Sequence, residues 1–123
     1  MAENNRRFVA AAARGDAAGM AAVYAADAEL LAPDTEPLRG RESIERFWQG
    51  GIEMGICAID LETLALEASD GIAYETGRWT LRMGPDCEEP TNEAGKYVVL
   101  HRRQADGTWR RAVEIFNWNA PRC

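Results

Sequence analysis

Basic excess, histidine, regularly spaced cysteine and long apolar runs are all scarce in this sequence of 123 residues, and each scarcity closes off a class of function. The formal net charge is −6. A phosphate-backbone partner would demand clustered Lys and Arg, so a nucleic-acid binder is excluded, as is a protein held on an anionic membrane. No apolar run approaches the ~20 residues of a membrane-spanning helix. The N-terminal stretch RRFVAAAARGDAAG imitates a signal peptide, but Arg14 and Asp16 interrupt it too early and no clear cleavage site follows. The three cysteines, Cys57, Cys87 and Cys123, are too few and too irregular for a disulfide framework or a zinc pattern. They read as inert thiols in a cytoplasmic protein, with Cys123 frayed at the chain end. A single histidine, His101, cannot make a His-rich metal site, and no cofactor is expected. There is no Gly-rich phosphate loop, no Ser-His-Asp arrangement and no CxxC.

What is present suits one globular domain over residues 1–123, with 46% hydrophobic residues to build a core. Residues 3–14 read as a helix, with Gly15 past its end and Asp16 capping a second helix that runs to about Ala26. A short strand, 28–32, leads into the turn-rich PDTEPLRG. A third helix starts near Arg41 and places Ile44, Phe47 and Trp48 on one face. The remainder reads as strand. Between Ala58 and Ala68 the apolar positions switch parity, which one extra residue, a β-bulge, would produce. Ser69-Asp70-Gly71 is a turn before a second long strand, 72–83. The polar loop GPDCEEPTNEAG separates this strand from Lys96–Gln104. Asp106-Gly107 then turns a hairpin into Thr108–Trp118. Helices followed by long antiparallel strands define an α+β class. The sheet must curl around the helices, which leaves a cavity at its open end.

Three segments carry a resemblance: RGDAAGMAAVYAADAELLAP, LRGRESIERFW and GKYVVLHRRQADGTWRRAVEIFNWN. In order and spacing they resemble the SnoaL-like and ketosteroid-isomerase-like branch of the nuclear transport factor 2-like superfamily. The resemblance implies a cone-shaped, curled antiparallel sheet closed by three N-terminal helices, a homodimer, and a pocket for a small apolar molecule. It does not fix an activity, because that fold hosts unrelated functions. Ketosteroid isomerase needs an aspartate base and, as oxyanion donors, a tyrosine and a protonated aspartic acid. The matching positions here are Ala32, Phe8 and Val99, none of which can move a proton, so that mechanism is excluded. Limonene epoxide hydrolase, on the same fold, activates water with an acid on its last strand, where this chain has Glu114. The arginine and second acid of that enzyme have no clear counterparts, although the middle strand offers Glu75 and Trp79 on the matching face.

Strand alternation sorts the closing hairpin into two faces. Pairing across Asp106-Gly107 sets Val99 opposite Glu114, His101 opposite Ala112 and Tyr97 opposite Phe116. One face then carries Tyr97, Val99, His101, Ala112, Glu114, Phe116 and Trp118. The other carries Val98, Leu100, Trp109, Val113 and Ile115. The resemblance assigns the first face to the cavity and the second to a partner subunit.

Glu114 lies among apolar neighbours, where a carboxylate is costly unless paired, and His101 is its diagonal neighbour. A Glu114–His101 pair, or Glu114 alone, would serve as general base; the plainer reading is a carboxylate satisfied by Arg110, Tyr97 or water. Glu75 reads as a second cavity carboxylate or as a rim group paired with an arginine. Trp48, Trp79, Trp118 and Tyr97, with Phe8, Tyr24, Val99 and Phe116, line a pocket in the functional reading and fill plain core in the other. Arg102-Arg103 and Arg110-Arg111 read as a solvated or interface patch. The sequence therefore supports a hydrolase, isomerase or dehydratase that uses Glu114 and His101, or else a non-catalytic ligand-binding or dimerisation module.

Overall fold

The computed structural model describes residues 1–85, 87–88 and 90–120. Helix α1, Ala2–Arg14, buries Asn4, Phe8, Ala11 and Ala12, a spacing that forms one stripe along a 3.6-residue helix. Gly15 ends it in the left-handed conformation at φ 69°, and its N–H returns to the carbonyls of the last turn. Asp16 caps α2, Ala17–Ala21, by accepting the Gly19 N–H at 2.9 Å. That helix is shorter than the sequence suggests. Tyr24 already belongs to strand β1, Tyr24–Leu31, and its carbonyl is gripped by Arg41 Nη2 at 2.7 Å and Nε at 3.1 Å. The chain then makes a two-residue strand β2, Leu38–Arg39, and helix α3, Arg41–Glu53, which buries Ile44 and Trp48.

Four long strands follow: β3, Ile56–Ser69; β4, Ile72–Met83; β5, Thr91–Arg103; and β6, Trp109–Trp118. β5 begins earlier than Lys96, because 91–95 continue the ladder opposite Trp79–Met83. The strands form one unclosed sheet in the order β2-β1-β6-β5-β4-β3. It departs from the expected all-antiparallel arrangement at one seam, where β1 runs parallel to β6.

Two irregularities position the interior. The expected bulge in β3 lies between Thr63 and Ala65. A second, unforeseen one lies between β5 and β6, where Leu100 pairs with Val113 but His101 pairs with Arg111. Ala112 is the extra residue, so Arg111 replaces it opposite His101 and both Arg111 and Ala112 are buried. The expected pairs Val99–Glu114 and Tyr97–Phe116 are present.

Inward positions alternate cleanly along β4 and β5, giving Ala73, Glu75, Gly77, Trp79 and Leu81 on one strand and Gly95, Tyr97, Val99 and His101 on the other. The helices cover this concave face, and the core runs from Phe8, Met20 and Tyr24 through Ile44 and Trp48 to Ile59, Trp79 and Val99. The convex face keeps large apolar side chains exposed, including Val98, Leu100 and Ile115. The inert-thiol expectation is corrected for two cysteines: Cys57 and Cys87 form a disulfide. Cys123 lies outside the described residues. No helix among the described residues is long and apolar enough to cross a membrane.

Candidate functional site

A cavity of about 450 Å³ opens between α3 and the concave sheet. Much of its wall is aromatic, completed by aliphatic side chains such as Ile59, Leu61 and Leu81. Phe116 stacks on Trp48 with centroids 6.1 Å apart and meets the edge of Trp79 at 6.0 Å, while Trp79 meets Trp118 at 4.9 Å. Phe8 closes the helical side against Trp48 at 5.3 Å. Such edge and offset contacts add to the burial of the rings and fix the wall's shape. Tyr97, Arg111 and Glu114 are the polar lining residues on the sheet.

Glu114 borders the cavity as expected, but with other partners. Its Oε1 accepts the Tyr24 hydroxyl at 2.7 Å and Arg111 Nη1 at 2.7 Å. No protein group bonds its Oε2 among the described residues. The expected Glu114–His101 pair does not form, because the bulge at Ala112 puts Arg111, not His101, within reach of the carboxylate. Arg111 was assigned to a solvated patch and is instead 1% exposed. Burial disfavours its charge, but Glu114, Tyr24 and Glu75 together outweigh that and hold its pKa above the ordinary value. Burial, reinforced by the Glu114 charge, pushes the Tyr24 hydroxyl well above its usual range, so Tyr24 is a committed proton donor to Glu114.

The second carboxylate sits behind the wall. Glu75, only 1% exposed, is not a rim group and pairs with no arginine among the described residues. Its Oε2 accepts Tyr97 Oη at 2.5 Å, Thr63 Oγ1 at 2.8 Å and Asn5 Nδ2 at 2.9 Å. Its Oε1 lies 2.8 Å from His101 Nε2. Burial alone would raise the Glu75 pKa, yet these hydrogen bonds, from His101, Tyr97, Asn5 and Thr63, bring it down to about 2. Glu75 is therefore ionised at neutral pH with both oxygens occupied. Burial, together with the bond to Glu75, raises the Tyr97 phenol well above its normal value, so its proton stays on the bond to Glu75.

Asn5 joins the two clusters. Its Oδ1 accepts Arg111 Nη2 at 2.7 Å while its Nδ2 serves Glu75. One helix residue thus bridges a cation on β6 to an anion on β4. Neither Asn5 nor Thr63 was singled out from the sequence, because Asn and Thr at such positions give no chemical signal without the fold. Arg111 was hidden by parity: three residues from Glu114 on a regular strand, it would point the other way.

Of the expected ligand-lining residues, Phe8, Trp48, Trp79, Tyr97, Phe116 and Trp118 border the cavity. Tyr24, Glu75, Val99 and His101 lie in the layer beneath it, all at most 1% exposed. Ala32 belongs to a smaller hollow of about 230 Å³ on the other side of Phe116. No group of three or more His, Cys, Asp or Glu among the described residues has the arrangement of a metal site.

The architecture matches solved structures at low sequence identity. A ketosteroid isomerase-like protein from Erwinia carotovora atroseptica SCRI1043 superposes with a TM-score of 0.82 at 18% identity, covering 98% of this chain and 94% of that one. An NTF2-like protein with a cystatin-like fold from Novosphingobium aromaticivorans gives 0.81 at 16% identity, over 98% of this chain and 80% of that one. Aln2 from a Streptomyces species gives 0.77 at 18% identity, over 93% and 84%. At these identities the likeness shows the fold alone. No curated protein matches the sequence. Residues 5–112 match the model of the SnoaL-like domain, and the chain, with the curled sheet and helices of its NTF2-like structural neighbours, belongs to that family.

Proposed function

We propose that this protein is an enzyme acting on a small, largely apolar molecule, with Glu114 as the general base. The observation that carries this reading is the state of Glu114. It is a carboxylate on the wall of a cavity lined mainly by aromatic and aliphatic side chains, with one oxygen held by Tyr24 and Arg111 and the other left to the cavity. A base so oriented can take a proton from a carbon acid or from a water. Arg111 then balances the charge that Glu114 loses and regains, and Tyr24 keeps the carboxylate from rotating. This fits a hydrolase, isomerase or dehydratase. In the hydrolase variant, Arg111 supplies the arginine that the linear sequence did not reveal and Glu75 the second acid, although Glu75 is fully engaged and lies behind the wall. His101 is not part of the proton path in this scheme; with Tyr97 and Asn5 it orients Glu75.

The rival reading is a non-catalytic ligand-binding or dimerisation module. It draws on the Arg111–Glu114 ion pair, which satisfies half of the carboxylate and could be purely structural. Isotope transfer separates the two. The protein is incubated in D2O or in 18O-labelled water with a panel of small apolar ketones, epoxides, esters and alcohols, and the products are weighed by mass spectrometry. We expect label incorporation or loss of water from at least one class, falling by roughly a hundredfold or more in Glu114→Gln. Ligands that bind but never exchange would establish the module reading instead.

We further propose that the protein is a homodimer through the convex sheet face, because Val98, Leu100 and Ile115 form an apolar patch that a monomer rarely leaves open. We propose the cytoplasm as its location. There the Cys57–Cys87 bond would be reduced, so protein alkylated on lysis should show both thiols. A bond retained in cells would assign it to an oxidising compartment.

A further inference from the structure

Cys57 and Cys87 stand beside the mouth of the cavity, where backbone pairing is weak. β3 is the outermost strand, so its start has β4 alone as a strand neighbour. The ladder between them is interrupted at Cys57. Ile56 pairs with Met83 and Ala58 with Arg82, which leaves Cys57 as the extra residue of a bulge. Past the Ile56–Met83 pair, the Gly84 N–H donates to the Gly55 carbonyl at 3.0 Å. The residues held in this way belong to the cavity. Met54, Ile56 and Met83 all line it, with Met54 80% exposed at its mouth. Ile56 packs so closely on Gly51 of α3 that a Cβ there would lie 2.6 Å from its Cδ1.

The disulfide spans the same gap. Its Cα atoms are 5.5 Å apart, an ordinary separation for the bond, and it ties the bulge to the segment that leaves β4. Cys87 is exposed and Cys57 half-buried, so an external thiolate meets the Cys87 sulfur first and Cys57 departs as thiolate. The reduced state is provided for as well. Cys57 Sγ lies 3.4 Å from the Gly55 carbonyl oxygen and 3.8 Å from that of Gly84, so a thiol there has acceptors without movement of the chain.

We propose that Cys57 and Cys87 form a thiol–disulfide exchange site that governs passage through the cavity mouth, slow when bonded and fast when reduced. This rests on the small-molecule reading of the cavity. The oxidant is a low-molecular-weight disulfide. The Cys87 thiolate attacks one of its sulfurs and expels the other as thiolate. The Cys57 thiolate then attacks the Cys87 sulfur and expels the second. The chain loses two protons and two electrons, and the external disulfide leaves as two thiols. Reduction runs the same steps backward. In the reducing compartment proposed above, the open form is the resting one.

The test uses N-phenyl-1-naphthylamine, a neutral apolar fluorophore, in protein carrying Cys123→Ser so that no third thiol exchanges. Its release is followed by stopped-flow fluorescence on rapid dilution, from the oxidised protein and after reduction with dithiothreitol. Release should be about fivefold or more faster from the reduced form, the size of a modest coupling between two sites. Cys57→Ser with Cys87→Ser should release the probe at the reduced rate, with or without dithiothreitol. Equal release from both redox forms overturns the inference, as does a double variant that still responds to the reductant. Reduced protein that loses its near-ultraviolet circular dichroism also overturns it, because the bond is then a plain structural staple. A probe that neither form binds overturns the cavity reading and this inference with it. Redox-dependent release without isotope exchange would remove the enzymatic proposal and leave this one standing.

Discussion

At the scale of single residues, the interior is organised by two carboxylates with opposite availability. Glu75 is saturated, and its pKa of about 2 lies below the 4.5 of an unperturbed glutamate. The unfolded chain therefore binds more protons than the folded one between these values. Its contribution is fully present above about pH 4.5 and is lost as the pH falls toward 2. The gap is worth at most roughly 3 kcal/mol. Urea unfolding of the wild type should weaken between pH 5 and pH 3, and Glu75→Gln, already weaker at pH 7, should show a smaller drop over that range. An equal drop in both would assign the acid sensitivity to other groups. Glu114 behaves differently, because removing Arg111 strands it. Arg111→Met should cost about 3–5 kcal/mol in denaturant unfolding, and adding Glu114→Leu should recover much of that loss. The importance of Glu114 was legible in the sequence, since a lone acid between apolar neighbours on a strand needs a reason. Its partner was not, because the bulge that exchanges Arg111 for Ala112 depends on how β6 fits between β5 and β1.

At the scale of elements, glycines mark where strands and helices press together or leave room. A Cβ at Gly95 would run into the backbone oxygen of Asn117 and the Trp79 indole. A neighbouring backbone cannot give way as a side chain can, so Gly95→Ala should destabilise by about 1–3 kcal/mol or more and displace a cavity wall. Gly50, inside α3, meets nothing within 4 Å, and Gly50→Ala should raise stability by roughly 0.5–1 kcal/mol. Thermal unfolding of the two variants checks both signs. Most elements could be read from the residues: α1 and α3 from their apolar stripes, the Gly15-Asp16 junction from its caps, β4 from its alternation, and the β3 bulge from its change of parity. Two boundaries were missed for one reason. The end of α2 is set by Arg41 seizing the Tyr24 carbonyl, and the start of β5 by pairing with β4, and neither tertiary contact leaves a local trace.

At the scale of the whole molecule, the sheet has a closed face and an open one. If the open face pairs with a second copy, Ile115→Asp should convert a dimer to a monomer in light scattering without loss of secondary structure. A wild-type monomer at micromolar concentration would remove that assignment. The order of the strands has a separate consequence, for the timing of folding. β6, residues 109–118, lies between β1 and β5, and its seam with β1 joins residues 24–31 to residues 111–115. A nascent chain emerging from the ribosome can assemble the β3-β4-β5 meander from near neighbours in sequence. It cannot seat β1, or close the Tyr24–Arg111–Glu114 cluster, until β6 has been made. The edge of β1 that pairs with β6 must wait through some eighty residues of synthesis for its neighbour. Such non-local closure is slow and prone to aggregation. This topology makes β6 the strand on which closure of the cavity floor turns.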